Sequence, residues 1–463
     1  MVFSSVTFLF YYLPLVLMFY YAAPKALKNA VLLVSSFLFY FAGEPKFFAL
    51  FFVSILLNYL AGRAIEKYRT TPHGKGVFVL SVATNLLLLG VFKYANFFVD
   101  GLQTLLQLNM AVVKLALPIG ISFYTFQAIS YLVDVYRGEV PAQKSFINLA
   151  LYISLFPQLI AGPIVRYKTI DDALDSRTHT SELFVEGIQR FTVGLGKKIL
   201  LANQLGETWG LILQAKEPTV MLLWLGAVGF TLQIYFDFSA YSDMAIGLGK
   251  MFGFDFNENF RHPFMSKSIT EFWRRWHISL GTWFRDYLYI PLGGNRVSKL
   301  RWCINIAIVW LLTGLWHGAA WQFVLWGGFF GVLLVLEKAF LGKVLLRLPA
   351  FAAHIYMMVT VILSFVLFNS ASIYEAIRFI SGMFAMNGLP LMDALTVYYY
   401  KSYGILFLLG TIGSTDIIQK EVAKLYRFKA FELIKPLALF SLLILSTAYL
   451  VDASFNPFLY FRF

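Results

Sequence analysis

A histidine stands inside the run WLLTGLWHGAAW, Trp310 to Trp321. From Ile306 to Leu336 no Asp, Glu, Lys or Arg occurs, and a helix needs only about 20 residues to cross a bilayer core. An imidazole in such surroundings is costly unless it is satisfied or used. Two readings are open for His317. It can bridge helices through hydrogen bonds, as polar side chains inside bundles do. It can instead act as a general base, because a neutral imidazole titrates near pH 7 and abstraction of a hydroxyl proton contributes roughly 10²–10⁴-fold. On a helix Trp310, Gly314, His317 and Trp321 share one stripe, and Gly314 and Gly318 leave room beside the ring for a ligand. The other histidines, His73, His179, His262, His277 and His354, show no i, i+4 pairing with His317. No metal-ligand spacing, Gly-x-Ser-x-Gly elbow or P-loop pattern is present. Catalysis at His317 would need no bound cofactor and no metal.

A second constellation is ENFRHPFMSKSITEFWRRWHISLGTWFRDYLYIPLGGNR, Glu258 to Arg296. It is too charged to span and too aromatic for a solvated loop. Ser268 and Glu271 form a capping box that starts a helix. From there Trp273, Trp276, Leu280, Trp283, Phe284 and Tyr287 fall in one arc, with Arg274, Arg275, Arg285 and Asp286 opposite. Aromatic residues on one face and arginines on the other describe a helix in the membrane interface. Pro291 and Gly293–Gly294 then end it. His277, at the border of the two faces, is either an interfacial histidine bonded to a neighbour or a side chain carried inward to a reaction chamber. The arginines are either topology anchors or ligands for an anionic cosubstrate such as the phosphates of coenzyme A.

These elements sit in a chain that is 59% hydrophobic and only 14% charged over 463 residues, against about 25% charged for soluble domains. Apolar runs recur throughout: Val6–Ala22, Ala30–Ala42, Phe47–Leu60, Val77–Phe92, Ile147–Val165, Met221–Tyr235, Ile304–Leu336, Phe351–Phe368, Tyr403–Ile412 and Leu437–Val451. Charges interrupt a further stretch, Leu183–Leu201. The reading is an all-α polytopic membrane protein with about 10–12 spans, plus re-entrant or interfacial helices. It is one integral-membrane domain over residues 1–463, with a core motif region at 117–338 and a cytoplasmic-side interfacial segment at 258–300. The start lacks a basic n-region and reads as a retained helix. One cysteine, Cys303, excludes an internal disulfide and a thiolate metal cluster. The net charge of +13 sits in short loops and sets topology; it is not a nucleic-acid signal. Arg63, Lys67, Arg69 and Lys75, the Arg261–Arg301 segment and Lys420–Lys435 belong in the cytoplasm. That places the N-terminus, and also the tail after Asp452, outside.

LPIGISFYTFQAISYLVDVYRG (Leu117–Gly138), LFPQLIAGPIVRY (Leu155–Tyr167), YFDFSAYSDMAIGLG (Tyr235–Gly249), SITEFWRRWHISLGTWFRDYLYIPLGGNR and GLWHGA occur in this order. Together they resemble the membrane-bound O-acyltransferase family, in its bacterial branch of alginate and peptidoglycan O-acetyltransferases. The likeness runs from Met1 to at least Lys338. One departure is Ala240, where the branch usually has glycine. The resemblance implies a funnel of helices around an essential buried histidine, which falls on His317. The second histidine of the pattern falls on His277. Candidate substrate-binding residues are Trp273, Arg274, Arg275, Trp276, Arg285, Asp237, Asp243 and Trp316. Asp237, Ser239, Tyr241 and Asp243 belong to the FSAYSD motif; read alone they are helix-end caps or interhelical hydrogen-bonding groups.

The resemblance further implies that cytoplasmic acetyl-coenzyme A is the acyl donor. The acetyl group would cross the bacterial inner membrane to a periplasmic, SGNH-like acetyltransferase partner and on to a polysaccharide hydroxyl of alginate or a similar exopolysaccharide. Two alternatives remain open. One is D-alanyl transfer from a carrier protein to teichoic acid, within the same family. The other is a transporter or flippase, against which the lack of an internal repeat and the scarcity of deep polar residues count.

Overall fold

The computed structural model of the protein describes residues 2–107, 115–160, 162–452 and 456. Ala161, inside the LFPQLIAGPIVRY motif, lies outside the described residues, as does the tail expected on the outer side, except Asn456. The described residues are 79% helical, with no strand among them.

Among the described residues, seven helices are long and apolar enough to cross a bilayer: Lys25–Gly43, Pro45–Tyr68, Gly74–Leu106, Val220–Met251, Lys299–His317, Ala350–Asn369 and Ala430–Asp452. The protein is therefore a multi-pass membrane protein. Other apolar runs fold into shorter pieces. Val6–Ala22 gives the shorter helical stretch Phe8–Ala22. Ile147–Val165 breaks at Leu155, where Pro157 opens a new turn, into Phe146–Ser154 and Phe156–Leu159. Ile304–Leu336 is divided at Gly318 into Lys299–His317 and Trp321–Leu336.

Contacts group the chain into two units, one of Met1–Phe191 with Met244–Asn257 and one of Thr192–Asp243 with Glu258–Phe463. In the first, Phe48–Tyr68 packs against Gly74–Leu89 and Ile121–Arg137, and Lys28–Gly43 against Phe146–Ser154. Asn58 and Asn85, both buried, exchange amide hydrogen bonds of 3.0 and 2.9 Å across two of these helices. Reciprocal pairing of this kind satisfies polar groups that lipid cannot.

The second unit holds every residue of the candidate site. Its core is aromatic: Tyr235, Phe236, Phe264, Phe272, Trp276, Trp326, Phe330, Phe365 and Phe368 form one buried cluster. Lys299–His317 and Trp321–Leu336 make a tight hairpin, in which a Cβ on Gly314 would strike the Phe323 carbonyl and one on Gly327 the Trp310 carbonyl. Small residues let helix backbones approach closely in membranes. This corrects the expectation that Gly314 and Gly318 leave space for a ligand, since Gly318 is covered by the Phe323 ring. The expected stripe also ends early: the helix stops at His317, and Trp321 begins the next one, exposed.

Candidate active site

The expected helix start at the head of the interfacial segment forms, with the return bond of the capping box shifted from Ser268 to the preceding residue. Ser268 Oγ accepts from the Glu271 backbone N–H at 3.0 Å, and Glu271 Oε2 accepts from the Lys267 N–H at 2.9 Å. A second carboxylate reinforces this helix start: the buried Glu337 accepts from the Ile269 N–H (2.7 Å), the Thr270 N–H (2.8 Å) and the Thr270 hydroxyl (2.6 Å). A carboxylate at the N–H groups of a first helical turn, which have no intrahelical acceptor, is stabilising.

The amphipathic helix expected from Ser268 to Tyr287 is not continuous. Ile269–Arg275 ends at an extended Trp276, and His277 takes the left-handed conformation, φ 45°. A new helix then runs over Ile278–Phe284, followed by a wide turn over Arg285–Tyr289. The cause is Asn259. Its backbone carbonyl accepts from the Ile278 N–H at 3.0 Å, and its side-chain Oδ1 accepts from the Ser279 N–H at 3.1 Å. These bonds cap the second helix from outside and replace the intrahelical acceptors that continuity would supply. Left-handed backbone is uncommon away from glycine and marks a position held by its surroundings.

The break turns His277 inward. Only 1% of its surface is accessible, with Nδ1 3.2 Å from Asn259 Oδ1 and its ring edge-on to Phe238. Burial, and after it the nearby His317, hold the His277 imidazole well below its usual pKa, so the ring rests neutral. His317, also buried, is boxed by Trp316, Trp326 and Phe368, with ring centroids 5.1, 5.1 and 5.4 Å away and all near perpendicular. The Trp316 indole also lies 5.9 Å from the His277 ring. One tryptophan thus touches both imidazoles.

A cavity of about 580 Å³ opens onto His277, within the roughly 300–1,000 Å³ of small-ligand sites. Trp273, Trp310, Leu280, Phe284 and Leu334 supply apolar wall; Arg274, Arg285 and Lys338 supply positive charge. Burial, then Arg274, lowers the Lys338 pKa, as clustered cations do when no anion is bound. Arg285 is held by Asp286 at 2.6 Å and Arg275 by Glu271 at 2.7 Å. Arg274 has no carboxylate within salt-bridge distance among the described residues.

The structure therefore gathers Trp273, Arg274, His277 and Arg285 at one cavity and sets Trp316 and His317 beside His277. Arg275 does not line that cavity, and Trp276 is part of the core, stacked on Phe272. Asp237 and Asp243 are engaged by lysines of the preceding helix: Lys198 at 2.5 Å and Lys197 at 2.7 Å. Sequence reasoning missed Asn259, Glu337 and Lys338. Among the described residues no three His, Cys, Asp or Glu side chains gather as metal ligands would.

A family model for membrane-bound O-acyltransferases matches residues 47–374. The chain is 43% identical over 398 residues to the probable alginate O-acetylase AlgI of Azotobacter vinelandii, covering 85% of this chain and 80% of that protein. It is 30% identical to the peptidoglycan O-acetyltransferase of Helicobacter pylori, over 100% of this chain and 98% of the relative. The teichoic acid D-alanyltransferase of Bacillus subtilis is 29% identical over 48% of this chain and 59% of its own length. The chain belongs to the membrane-bound O-acyltransferase family, and it is an O-acyltransferase.

Proposed function

We propose that the protein takes an acetyl group from cytoplasmic acetyl-coenzyme A and passes it across the bacterial inner membrane, N-terminus outside, to a periplasmic acetyltransferase partner. The partner delivers it to a polysaccharide hydroxyl, alginate or a similar polymer. The observation that carries this reading is the single cavity that joins Arg274, Arg285 and Lys338 to His277. An anionic, phosphate-bearing donor with a long apolar-walled arm is the ligand such a lining suits. The similarity to a probable alginate O-acetylase and to a peptidoglycan O-acetyltransferase supports a polysaccharide as final acceptor.

In the reaction, His317 takes the proton of the acceptor hydroxyl as its oxygen attacks the thioester carbonyl. The new C–O bond forms, the C–S bond breaks, and the coenzyme A thiolate leaves. The proton taken up by His317 goes to that thiolate, directly or relayed through His277, so atoms and charge balance. His277, on the donor side, therefore either holds the thioester in place or passes this proton on to the thiolate. Water is kept from the carbonyl by the aromatic box around His317.

Everted membrane vesicles present the cytoplasmic face to the medium and enclose the periplasmic partner and polymer. With labelled acetyl-coenzyme A outside, label is expected in the enclosed polysaccharide. Vesicles that label only when given an acylated carrier protein would make D-alanyl transfer the better reading.

A further inference from the structure

Asn259 is tied to the site through both ends of its side-chain amide. Its Oδ1 accepts from the Ser279 backbone N–H (3.1 Å) and the Ser279 hydroxyl (2.9 Å), and lies 3.2 Å from His277 Nδ1. Its Nδ2 donates to Ser242 Oγ at 3.2 Å, on the Val220–Met251 helix. Asn259 is 1% exposed, so this network is sealed from solvent.

The orientation of the amide follows from chemistry. A backbone N–H can only donate, so the atom facing Ser279 N must be the carbonyl oxygen, and Nδ2 must be the group that donates to Ser242. That same oxygen faces His277 Nδ1, and oxygen with no hydrogen can only accept. The Ser279 hydroxyl, 3.5 Å from Nδ1, gives its hydrogen to Asn259 Oδ1 at 2.9 Å and so can only accept from the ring. Both oxygens beside Nδ1 are acceptors, and Nδ1 therefore carries a proton. In a neutral imidazole only one nitrogen does, so Nε2 bears the lone pair.

We infer that Asn259 is a positioning residue that locks His277 in the Nδ1–H form, leaving Nε2 as a hydrogen-bond acceptor. This rests on the acetyltransferase reading above and deepens it. A neutral ring with its lone pair at Nε2 has no proton to give a thiolate there. Of the two tasks open to His277, holding the donor remains, and an amide N–H of the donor's pantetheine arm, a few bonds from the thioester, is the group it accepts from. Return of a proton to the thiolate then falls to His317 alone. Asn259 also caps the helix that follows, so the residue that breaks the interfacial helix is also the one that sets the tautomer.

The test uses the full chain in everted vesicles, with labelled acetyl-coenzyme A and the pH of the medium varied. Wild type is compared with Asn259→Ala and Asn259→Asp, with His317→Ala as reference. Asn259→Ala frees the ring to turn and is expected to lower kcat/KM about 100-fold, the cost of a misplaced reacting group. Asn259→Asp keeps an acceptor at the same place but stabilises the imidazolium, so the acid limb of its rate profile moves up by about one pH unit or more. A residue with only a structural role would not move that limb. Asn259→Ala activity within about threefold of wild type, or an unmoved limb in Asn259→Asp, overturns the inference while His317→Ala remains inactive. If Asn259→Ala does not accumulate, the Asn259→Asp profile decides. Wild-type vesicles that do not use acetyl-coenzyme A would overturn the underlying reading, and this inference with it.

Discussion

His317 meets Trp326 edge to face, ring centroids 5.1 Å apart at 81°. The indole fixes the imidazole by packing, with Phe368 and Trp316 closing two further sides. Trp326→Leu removes one wall of that box. The variant should lose about tenfold in kcat through misorientation, with little change in KM for acetyl-coenzyme A, the proposed donor, because Trp326 does not line the cavity that opens onto His277. Steady-state kinetics in vesicles separate the two constants.

The cations of the cavity carry a different signature. Burial, and after it the nearby Arg274, lowers the Lys338 pKa. A bound phosphate would relieve the repulsion between the two cations. Arg274→Gln should raise KM for acetyl-coenzyme A about tenfold or more, the worth of a charge-assisted hydrogen bond, and leave kcat near wild type. Arg275→Gln, which lies off the cavity and pairs with Glu271, should change KM far less. Donor titrations on the two variants check this.

Lys198 and Asp237 form an ion pair whose side chains are each 4% exposed. Removing one partner strands the other charge in a low-dielectric interior, at a cost of about 3–5 kcal/mol. Asp237→Asn should therefore lower the melting temperature and the yield of folded protein. The double variant Lys198→Met, Asp237→Leu should recover most of that loss. If Asp237 instead contacted substrate, the double variant would be stable and inactive. Thermal unfolding in detergent, beside vesicle activity, separates the outcomes.

Glu337 holds the Ile269 and Thr270 N–H groups and so the start of the helix that carries Trp273 and Arg274. Glu337→Ala leaves those buried donors without acceptors, about 1–3 kcal/mol each in desolvation. Activity should fall with stability, and Glu337→Gln should restore part of both by keeping one carbonyl acceptor. Melting curves and activity measured on the same preparations check the correlation.

The parts of this site that the sequence displays are those set by local chemistry. An uncharged run exposes His317 as an anomaly, and Ser268 with Glu271 announces a helix start that forms. The break at Trp276–His277 was not legible, because the aromatic period continues unbroken through it. What stops the helix is Asn259, 18 residues away from His277, and a bond of that separation leaves no trace in periodicity. Gly314 and Gly318 misled for a related reason: small residues make room equally for a ligand or for another helix, and the hairpin partner that fills the space is known only once the chain folds. Lys338 and Glu337 were invisible as site residues because they follow an apolar run and look like topology charges.

The most direct test of the account is a single comparison in everted vesicles: transfer of label from acetyl-coenzyme A by wild type and by His317→Ala at equal membrane levels. Loss of transfer by roughly 10²–10⁴-fold in the variant, the worth of a general base, with an unchanged melting temperature, is the predicted result. A folded His317→Ala protein that transfers acetyl at the wild-type rate would contradict it.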